Sequence, residues 1–217
     1  MPPRTIAIGD VHGCSRALGA LLDAVAPGPD DTVIPLGDYV DRGPDSRGVL
    51  DRLIALAGTC WLIPLLGNHD RMFLDARADD LKRINWLECG GLATLDSYGG
   101  GIDLVPPAHF AFLEACVLFH QTGSHLFVHA NYYPDLPMDE QPVYMLLWES
   151  LRDHPPRPHD SGKVVVCGHT SRKGGEVLDL GFLKCIDTYC CGGRWLTALD
   201  VDSGRTWQAD SRGRLRE

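Results

Sequence analysis

The chain has 217 residues, of which 44% are hydrophobic and 23% are charged, and its formal net charge is −9. This length predicts a single domain over residues 1–217. No apolar stretch approaches the roughly 18 residues of a membrane helix. The acidic charge argues against nucleic acid as the main partner, because phosphate backbones bind surfaces rich in Lys and Arg.

Strand and helix patterns alternate through the first third of the chain. The predicted elements are strand 5–8, helix 15–26, strand 32–36, helix 45–57 and strand 60–66. Ser15 is the expected N-cap of the first helix, and Asp45 or Ser46 of the second. This order predicts parallel strands, whose ligands bind beyond the strands' carboxyl ends. The first strand begins so early that no signal peptide fits, which predicts a cytoplasmic location.

The rest of the chain divides into a helical and a strand-rich part. Residues 70–119 are mostly helical by pattern, and we expect a helical insertion over one face or edge of the sheet. Further strands are predicted at 125–128, 164–167, 176–186, 195–201 and 205–208. The fold prediction is an α/β protein with a mixed sheet, or two packed sheets, flanked by helices.

Five apolar runs end in residues that can bind a metal ion. The residues at these ends are Asp10, His12, Asp38, Asn68, His129 and His169. Asp10 and His12 are two positions apart, so in an extended segment both side chains point the same way. Because the carboxyl ends of strands meet at one edge of a sheet, we expect these six side chains to form one site.

The residue types at this site predict its metals. Oxygen and nitrogen ligands without thiolate suit Mn²⁺, Fe, Zn²⁺ or Co²⁺. None of the eight cysteines forms a C-x-x-C pair, so a zinc knuckle is not supported. Two cations about 3.5–4 Å apart activate water as hydroxide and neutralise a phosphoryl group. The sequence therefore predicts a two-metal site, able to hydrolyse phosphoesters.

Three residues beside the ligands are candidates for catalysis. Arg42 can bind phosphate oxygens with its planar guanidinium group. His69 is a candidate general acid, and Asp41 can orient it. Taken singly, each is more often an ordinary turn or structural residue. Their position next to five ligand-bearing strand ends favours the catalytic interpretation.

The same residues carry a family resemblance. GDVHG at 9–13, GDYVDRG at 37–43 and GNHD at 67–70 resemble the N-terminal signatures of phosphoprotein phosphatase-type metallophosphoesterases. FVHA at 127–130 and GHT at 168–170 resemble the two C-terminal histidine motifs of that family. The resemblance extends over a core of about residues 5–202, and the layout is most similar to small bacterial and phage lambda-type protein phosphatases.

The resemblance implies a sandwich of two mixed sheets and a role for each site residue. One divalent metal would be bound by Asp10, His12 and Asp38. The second would be bound by Asp38, Asn68, His129 and His169. Members of the family often use Mn²⁺. His69 would be the proton donor paired with Asp41, and Arg42 would bind the phosphate.

Three positions depart from the family pattern. Asp70 stands where the protein phosphatases usually have Glu. Ser150 stands where similar relatives often carry a second phosphate-binding Arg, and we hypothesise that Arg152 or Arg172 replaces it. Tyr189 lies in a loop that borders the active site of the family, where it either contacts substrate or only packs.

The leading functional prediction is a phosphatase for phosphoserine, phosphothreonine or phosphotyrosine in proteins. A first alternative keeps the chemistry and changes the substrate to a dinucleoside polyphosphate or another nucleotide phosphate. A second alternative is a weakly active module that binds phosphorylated partners, which only Ser150 favours. The expected partner is thus a phosphorylated protein or a small phosphoester, and the sequence leaves the oligomeric state open.

Overall fold

The computed structural model describes residues 2–217 and contains two five-stranded mixed sheets. The first sheet has the strand order β10-β9-β1-β2-β3. Its strands are β1 (Thr5–Ile8), β2 (Thr32–Pro35), β3 (Trp61–Leu62), β9 (Trp195–Asp200) and β10 (Thr206–Asp210). As predicted, β1, β2 and β3 are parallel, while β9 pairs with β1 antiparallel.

The second sheet has the strand order β4-β5-β6-β8-β7. Its strands are β4 (Phe119–Gln121), β5 (His125–Val128), β6 (Val164–Cys167), β7 (Leu178–Asp179) and β8 (Leu183–Cys185). The three central strands β5, β6 and β8 are parallel, and the edge strands are antiparallel. Both sheets therefore direct several strand ends to the same side.

The two sheets pack against each other through a shared apolar core. Ile34 of β2 and Leu36, just after that strand, lie in one buried cluster with Phe127 and Val166 of the second sheet. A larger cluster covers the outer face of the first sheet with helices. The structure confirms the predicted α/β sandwich of two mixed sheets with helices outside.

Seven α-helices complete the fold of the described residues 2–217. They are α1 (Ser15–Val25), α2 (Ser46–Leu56), α3 (Asn68–Ala76), α4 (Asp80–Trp86), α5 (Leu92–Ser97), α6 (Pro107–Glu114) and α7 (Val143–Leu147). Helices α3 to α6 form the predicted helical insertion between the strands of the two sheets. Within residues 2–217, no helix has both the length and the apolar character needed to cross a membrane.

Three local predictions differ from the structure. The predicted strand 60–66 keeps only Trp61–Leu62 as a strand, because Pro64 has no N–H for a continuous ladder. The predicted strand 176–186 is a hairpin, since Gly181 turns the chain at φ 81° between β7 and β8. Cys14, not Ser15, is the N-cap of α1, whereas Asp45 caps α2 by accepting the Gly48 N–H.

Candidate metal centre

The predicted ligands follow strand ends of both sheets and converge there. Five of the six are buried, and His169 is partly buried. His12, Asp38 and His169 adopt left-handed backbone conformations, with φ of 42°, 52° and 58°. Such conformations are unfavourable for residues other than glycine and concentrate at functional sites.

The side chains form two clusters that share one carboxylate. His12, Asp38 and His69 form the first, and Asp38, His129 and His169 form the second. Within each cluster the candidate ligand atoms lie within 4.8 Å of one another. The structure thus brings together the predicted bridging residue Asp38 and three predicted histidine ligands. His69, predicted as an acid, also lies in the first cluster.

Asp10 and Asn68, the remaining predicted ligands, lie beside the second cluster. The carboxylate of Asp10 accepts the backbone N–H of His169 at 3.0 and 3.1 Å. The Asn68 Oδ1 atom lies 3.0 Å from His129 Nε2 and 3.0 Å from His169 Nδ1. Asp10 thereby links the loop after β1 to the loop after β6.

Backbone carbonyls orient the three histidines for metal binding. The ring contacts are His12 Nδ1 to Val40 O at 2.8 Å, His129 Nδ1 to Leu36 O at 2.8 Å, and His169 Nε2 to Trp148 O at 3.0 Å. A carbonyl only accepts, so the ring nitrogen facing it carries the hydrogen. In each neutral imidazole, the other nitrogen presents a lone pair to the site, as metal-ligating histidines do.

The second cluster is a set of acceptors that face one another. The lone pairs of His129 and His169 point at the Asn68 amide oxygen, and Asp38 Oδ1 lies 3.5 Å from His129 Nε2. Acceptors at these distances repel each other unless a cation lies among them. These oxygen and nitrogen atoms therefore fit as the ligands of a divalent cation.

Arg42 covers the first cluster. Its guanidinium group donates to His12 Nε2 at 2.8 Å and to His69 Nε2 at 2.7 Å. Arg42 is otherwise exposed to solvent. The contact places Arg42 beside His12 and His69, and its predicted phosphate binding stays a prediction.

The charges of the site suit cation binding. Burial alone would raise the pKa of Asp38, but His129, His69 and His12 hold it well below its usual range. Burial lowers the pKa of His169 to about 4, with help from His129. Burial, Asp187 and Asp38 raise the pKa of Asp10 well above its usual range. A bound cation would offset the repulsion of Asp10 by Asp187 and Asp38.

The two residues predicted to act as an acid pair, His69 and Asp41, are in contact. His69 Nδ1 lies 2.7 Å from Asp41 Oδ2, and both residues are buried. The other ring nitrogen of His69, Nε2, accepts a hydrogen bond from Arg42. In this arrangement the hydrogen of the neutral ring is on Nδ1, which donates it to Asp41. Two residues of the helical insertion, Trp86 and Thr94, also donate to Asp41. The sequence patterns predicted only that Trp86 and Thr94 lie in helices, and not that they contact the site.

Asp70 has a structural role that the motifs did not reveal. Its carboxylate accepts backbone N–H groups of Asp38 at 2.7 Å, Tyr39 at 2.9 Å and Gly67 at 3.0 Å. Its place at the third position of α3, where a capping box has an acidic residue, was the available signal. An aspartate is therefore long enough to join the loops after β2 and β3.

The residues around Ser150 lie outside the two clusters. The Ser150 hydroxyl donates to Asp153 at 2.9 Å and accepts the Arg152 N–H at 3.0 Å, which makes a local turn. The Arg152 guanidinium donates to the Ser171 carbonyl at 2.7 Å. Arg152 and Arg172 line a surface cavity of about 230 Å³ together with Lys173.

Tyr189 packs within its own loop. It has a left-handed backbone, with φ of 66°, and its N–H donates to Asp187 Oδ1 at 3.0 Å. A Cβ atom on Gly192 would lie 1.9 Å from the Tyr189 ring, so the ring lies directly on this glycine. These contacts support packing, and they leave the proposed substrate contact as a prediction.

Sequence comparison decides the family. Residues 3–202 match the model of the calcineurin-like phosphoesterases. The chain belongs to the calcineurin-like phosphoesterase family. This family of metallophosphoesterases uses divalent metals in a binuclear site, in agreement with two clusters that share Asp38. The predicted membership of the phosphoprotein phosphatase-type metallophosphoesterases is confirmed.

Curated relatives of the phosphoesterase have two different names. It is 40% identical over 85 residues to serine/threonine-protein phosphatase 1 of Salmonella typhimurium, covering 39% of this chain and 37% of that protein. It is 38% identical over 113 residues to a symmetrical bis(5′-nucleosyl)-tetraphosphatase of an Acidovorax species, covering 43% and 40%. The matches thus span about two fifths of the length of these relatives.

Solved structures agree on the fold. A structure provisionally assigned as a diadenosine tetraphosphatase has a TM-score of 0.72 at 24% identity, covering 96% of this phosphoesterase and 94% of that chain. A cold-active protein-tyrosine phosphatase from a psychrophilic Shewanella species has a TM-score of 0.69 at 17% identity, covering 100% and 80%. At these identities the likeness establishes the fold alone.

Proposed function

We propose that this phosphoesterase hydrolyses phosphomonoesters, and that phosphoserine and phosphothreonine in proteins are its main substrates, with phosphotyrosine as a further one. One observation carries the proposal: the clusters that share Asp38 lie directly beside a guanidinium group and a histidine–aspartate pair. These are the groups needed to bind a phosphoryl group and to protonate its leaving oxygen.

The proposal gives each predicted ligand a place. Asp10, His12 and Asp38 would hold the first cation, and Asp38, Asn68, His129 and His169 the second, with Mn²⁺ as the leading candidate. Bound divalent cations supply Lewis acidity, which activates water near neutral pH and offsets the charge of the phosphoryl group. His69 lies in one cluster with His12 and Asp38, which would suit a proton donor at the leaving oxygen.

Arg42 and His69 would act in turn on the substrate. Arg42 leaves His12 and His69 and binds phosphoryl oxygens, which are the stronger acceptors for a guanidinium group. His69 Nε2 is then free to hold a proton, while Asp41 accepts the Nδ1–H and stabilises the imidazolium. As the bond from phosphorus to the leaving oxygen breaks, the Nε2 proton passes to that oxygen.

Hydrolysis of p-nitrophenyl phosphate and of phosphopeptides by the purified chain tests the proposal. Metal-free protein should be inactive and should regain activity with Mn²⁺, and His69→Asn should lower kcat for a phosphoserine peptide at least 100-fold. A wild-type chain without Mn²⁺-dependent activity would contradict the proposal. That result would favour a module that only binds phosphorylated partners.

A second candidate is a dinucleoside polyphosphate as substrate. A surface cavity is lined by Arg152, Arg172 and Lys173. Glu176, which also lines it, pairs with Arg216 at 2.6 Å, so the cavity remains positively charged. Arg152 contacts Ser171, which lies two residues after the predicted ligand His169. A further phosphate of a polyphosphate chain would bind in such a cavity.

The basic cavity can be tested with paired substrates. If it binds a second phosphate, Arg152→Ala and Arg172→Ala should raise KM for diadenosine tetraphosphate about tenfold and leave p-nitrophenyl phosphate hydrolysis nearly unchanged. If the two arginines replace the phosphate-binding residue missing at Ser150, both substrates should lose kcat/KM. Unchanged kinetics with both substrates would exclude a role for either arginine.

A further inference from the structure

Three side chains converge on the buried carboxylate of Asp41. Trp86 Nε1 lies 2.9 Å from both oxygens, Thr94 Oγ1 lies 2.7 Å from Oδ1, and His69 Nδ1 lies 2.7 Å from Oδ2. Asp41, Trp86 and Thr94 are all fully buried. A buried carboxylate requires such donors. Here two of the three donors, Trp86 and Thr94, come from helices α4 and α5, which supply no predicted metal ligand.

The insertion also holds the backbone of the segment that carries Asp41. Asp41 and Arg42 both have left-handed conformations, with φ of 72° and 67°. The Asp41 N–H donates to Thr94 Oγ1 at 2.8 Å, and the Arg42 N–H donates to the Gly90 carbonyl at 3.2 Å. Contacts of this kind maintain strained conformations at functional sites.

The Trp86 indole is itself fixed by packing. It stacks on Phe73 with ring centroids 5.0 Å apart and an angle of 25° between the planes. A Cβ atom on Gly91 would lie 2.4 Å from the indole, so only glycine allows this close approach. The indole N–H therefore has one direction available, toward Asp41.

We propose that Trp86 and Thr94 are positioning residues for the proton donor His69. The inference rests on the proposed function, in which His69 protonates the leaving oxygen. With both donors present, Asp41 Oδ1 is occupied and Oδ2 faces His69 Nδ1. Without them the carboxylate is free to rotate, and His69 loses the partner that directs its ring. Neither donor side chain hydrogen-bonds to any of the six predicted metal ligands.

Two substrates with different leaving groups separate this role from a merely structural one. p-Nitrophenolate is a stable leaving group that needs little proton donation, whereas phenolate needs more. Loss of positioning therefore lowers kcat/KM for phenyl phosphate more than for p-nitrophenyl phosphate. A destabilised fold would reduce the amount of active enzyme and lower both values by the same factor.

The experiment uses substitutions that remove one donor and keep the shape. Trp86→Phe removes the N–H and Thr94→Val removes the hydroxyl, while Thr94→Ser keeps it. With Mn²⁺ present, we expect the first two to lower the phenyl-to-nitrophenyl ratio of kcat/KM about tenfold, with metal content unchanged. Thr94→Ser and Trp61→Phe, a change at a tryptophan that is 70% exposed, should keep the wild-type ratio.

A double substitution adds a second criterion. Trp86→Phe should have little further effect on phenyl phosphate hydrolysis in a His69→Asn background, because the two residues act through one step. An unchanged leaving-group ratio in both Trp86→Phe and Thr94→Val would overturn the positioning role and leave the proposed function intact. A wild-type chain without Mn²⁺-dependent hydrolysis would overturn both.

Discussion

The carboxylate of Asp70 accepts the backbone N–H of Asp38 at 2.7 Å. A side chain outside the predicted ligand set thus fixes the residue that both clusters share. Asp70→Asn would replace one acceptor oxygen by an amide donor facing backbone N–H groups. We expect Mn²⁺ affinity to fall about 10–100-fold, measured by titration calorimetry. In Asp70→Glu, which keeps both carboxylate oxygens, the Mn²⁺ affinity should fall less. Equal affinities in the two variants would contradict the role of Asp70 in fixing Asp38.

Acidification should release metal from the two clusters at different pH. Burial lowers the pKa of His12, but Asp38 outweighs it, so the pKa is raised above its ordinary value. Burial lowers the pKa of His129, and it lowers that of His169 to about 4. Since cations bind only neutral imidazole, protons displace the first cation at higher pH. Metal analysis after dialysis at pH 8, 6.5 and 5 should show loss of one cation while the second is retained, and simultaneous loss of both would contradict this order.

Asp31 should make the stability depend on pH far from the metals. Hydrogen bonds from Arg4 lower the pKa of Asp31 from 3.8 to about 2. A depressed folded pKa contributes stability above the unfolded value, and this is lost as pH falls toward 2. Asp31→Asn should therefore lower the free energy of unfolding by about 2 kcal/mol at pH 7. Urea unfolding should show the difference shrinking between pH 4 and pH 2.

Gly43 should tolerate no side chain, although its φ angle is ordinary. A Cβ atom there would lie 1.9 Å from the His12 carbonyl oxygen. Gly43→Ala must move the loop that carries His12, so we expect kcat/KM to fall at least tenfold and stability to fall by about 1–3 kcal/mol. Gly123→Ala is the matched control, since no atom lies within 4 Å of its Cβ position. Equal behaviour of the two variants would refute the expectation.

The predicted ligands could be found from sequence because each follows an apolar run. Parallel strands bring their carboxyl ends together, so adjacency in the fold follows from a local pattern. Asp38, for example, lies between His12 and His129 because all three residues follow strand ends. The strand and helix patterns predicted the α/β class but left open one mixed sheet or two packed sheets, and only the family resemblance implied two.

Other features could not be predicted because they depend on side-chain contacts between distant residues. Trp86 reaches Asp41 across 45 positions, and its helix pattern says nothing about where the indole N–H points. The 176–186 run has the composition of one strand, and only the turn at Gly181 divides it. The hydrogen bond from Arg152 to the Ser171 carbonyl is likewise a tertiary contact that no local pattern predicts.

The second cluster joins Asp38, which follows a strand of the first sheet, to His129 and His169, which follow strands of the second. It exists only after β6 has been made and the two sheets have docked. A chain still being synthesised, with only its N-terminal half available, contains the first cluster alone. Full occupancy of the predicted sites would therefore follow docking of the two sheets, and cations bound there would stabilise the finished sandwich.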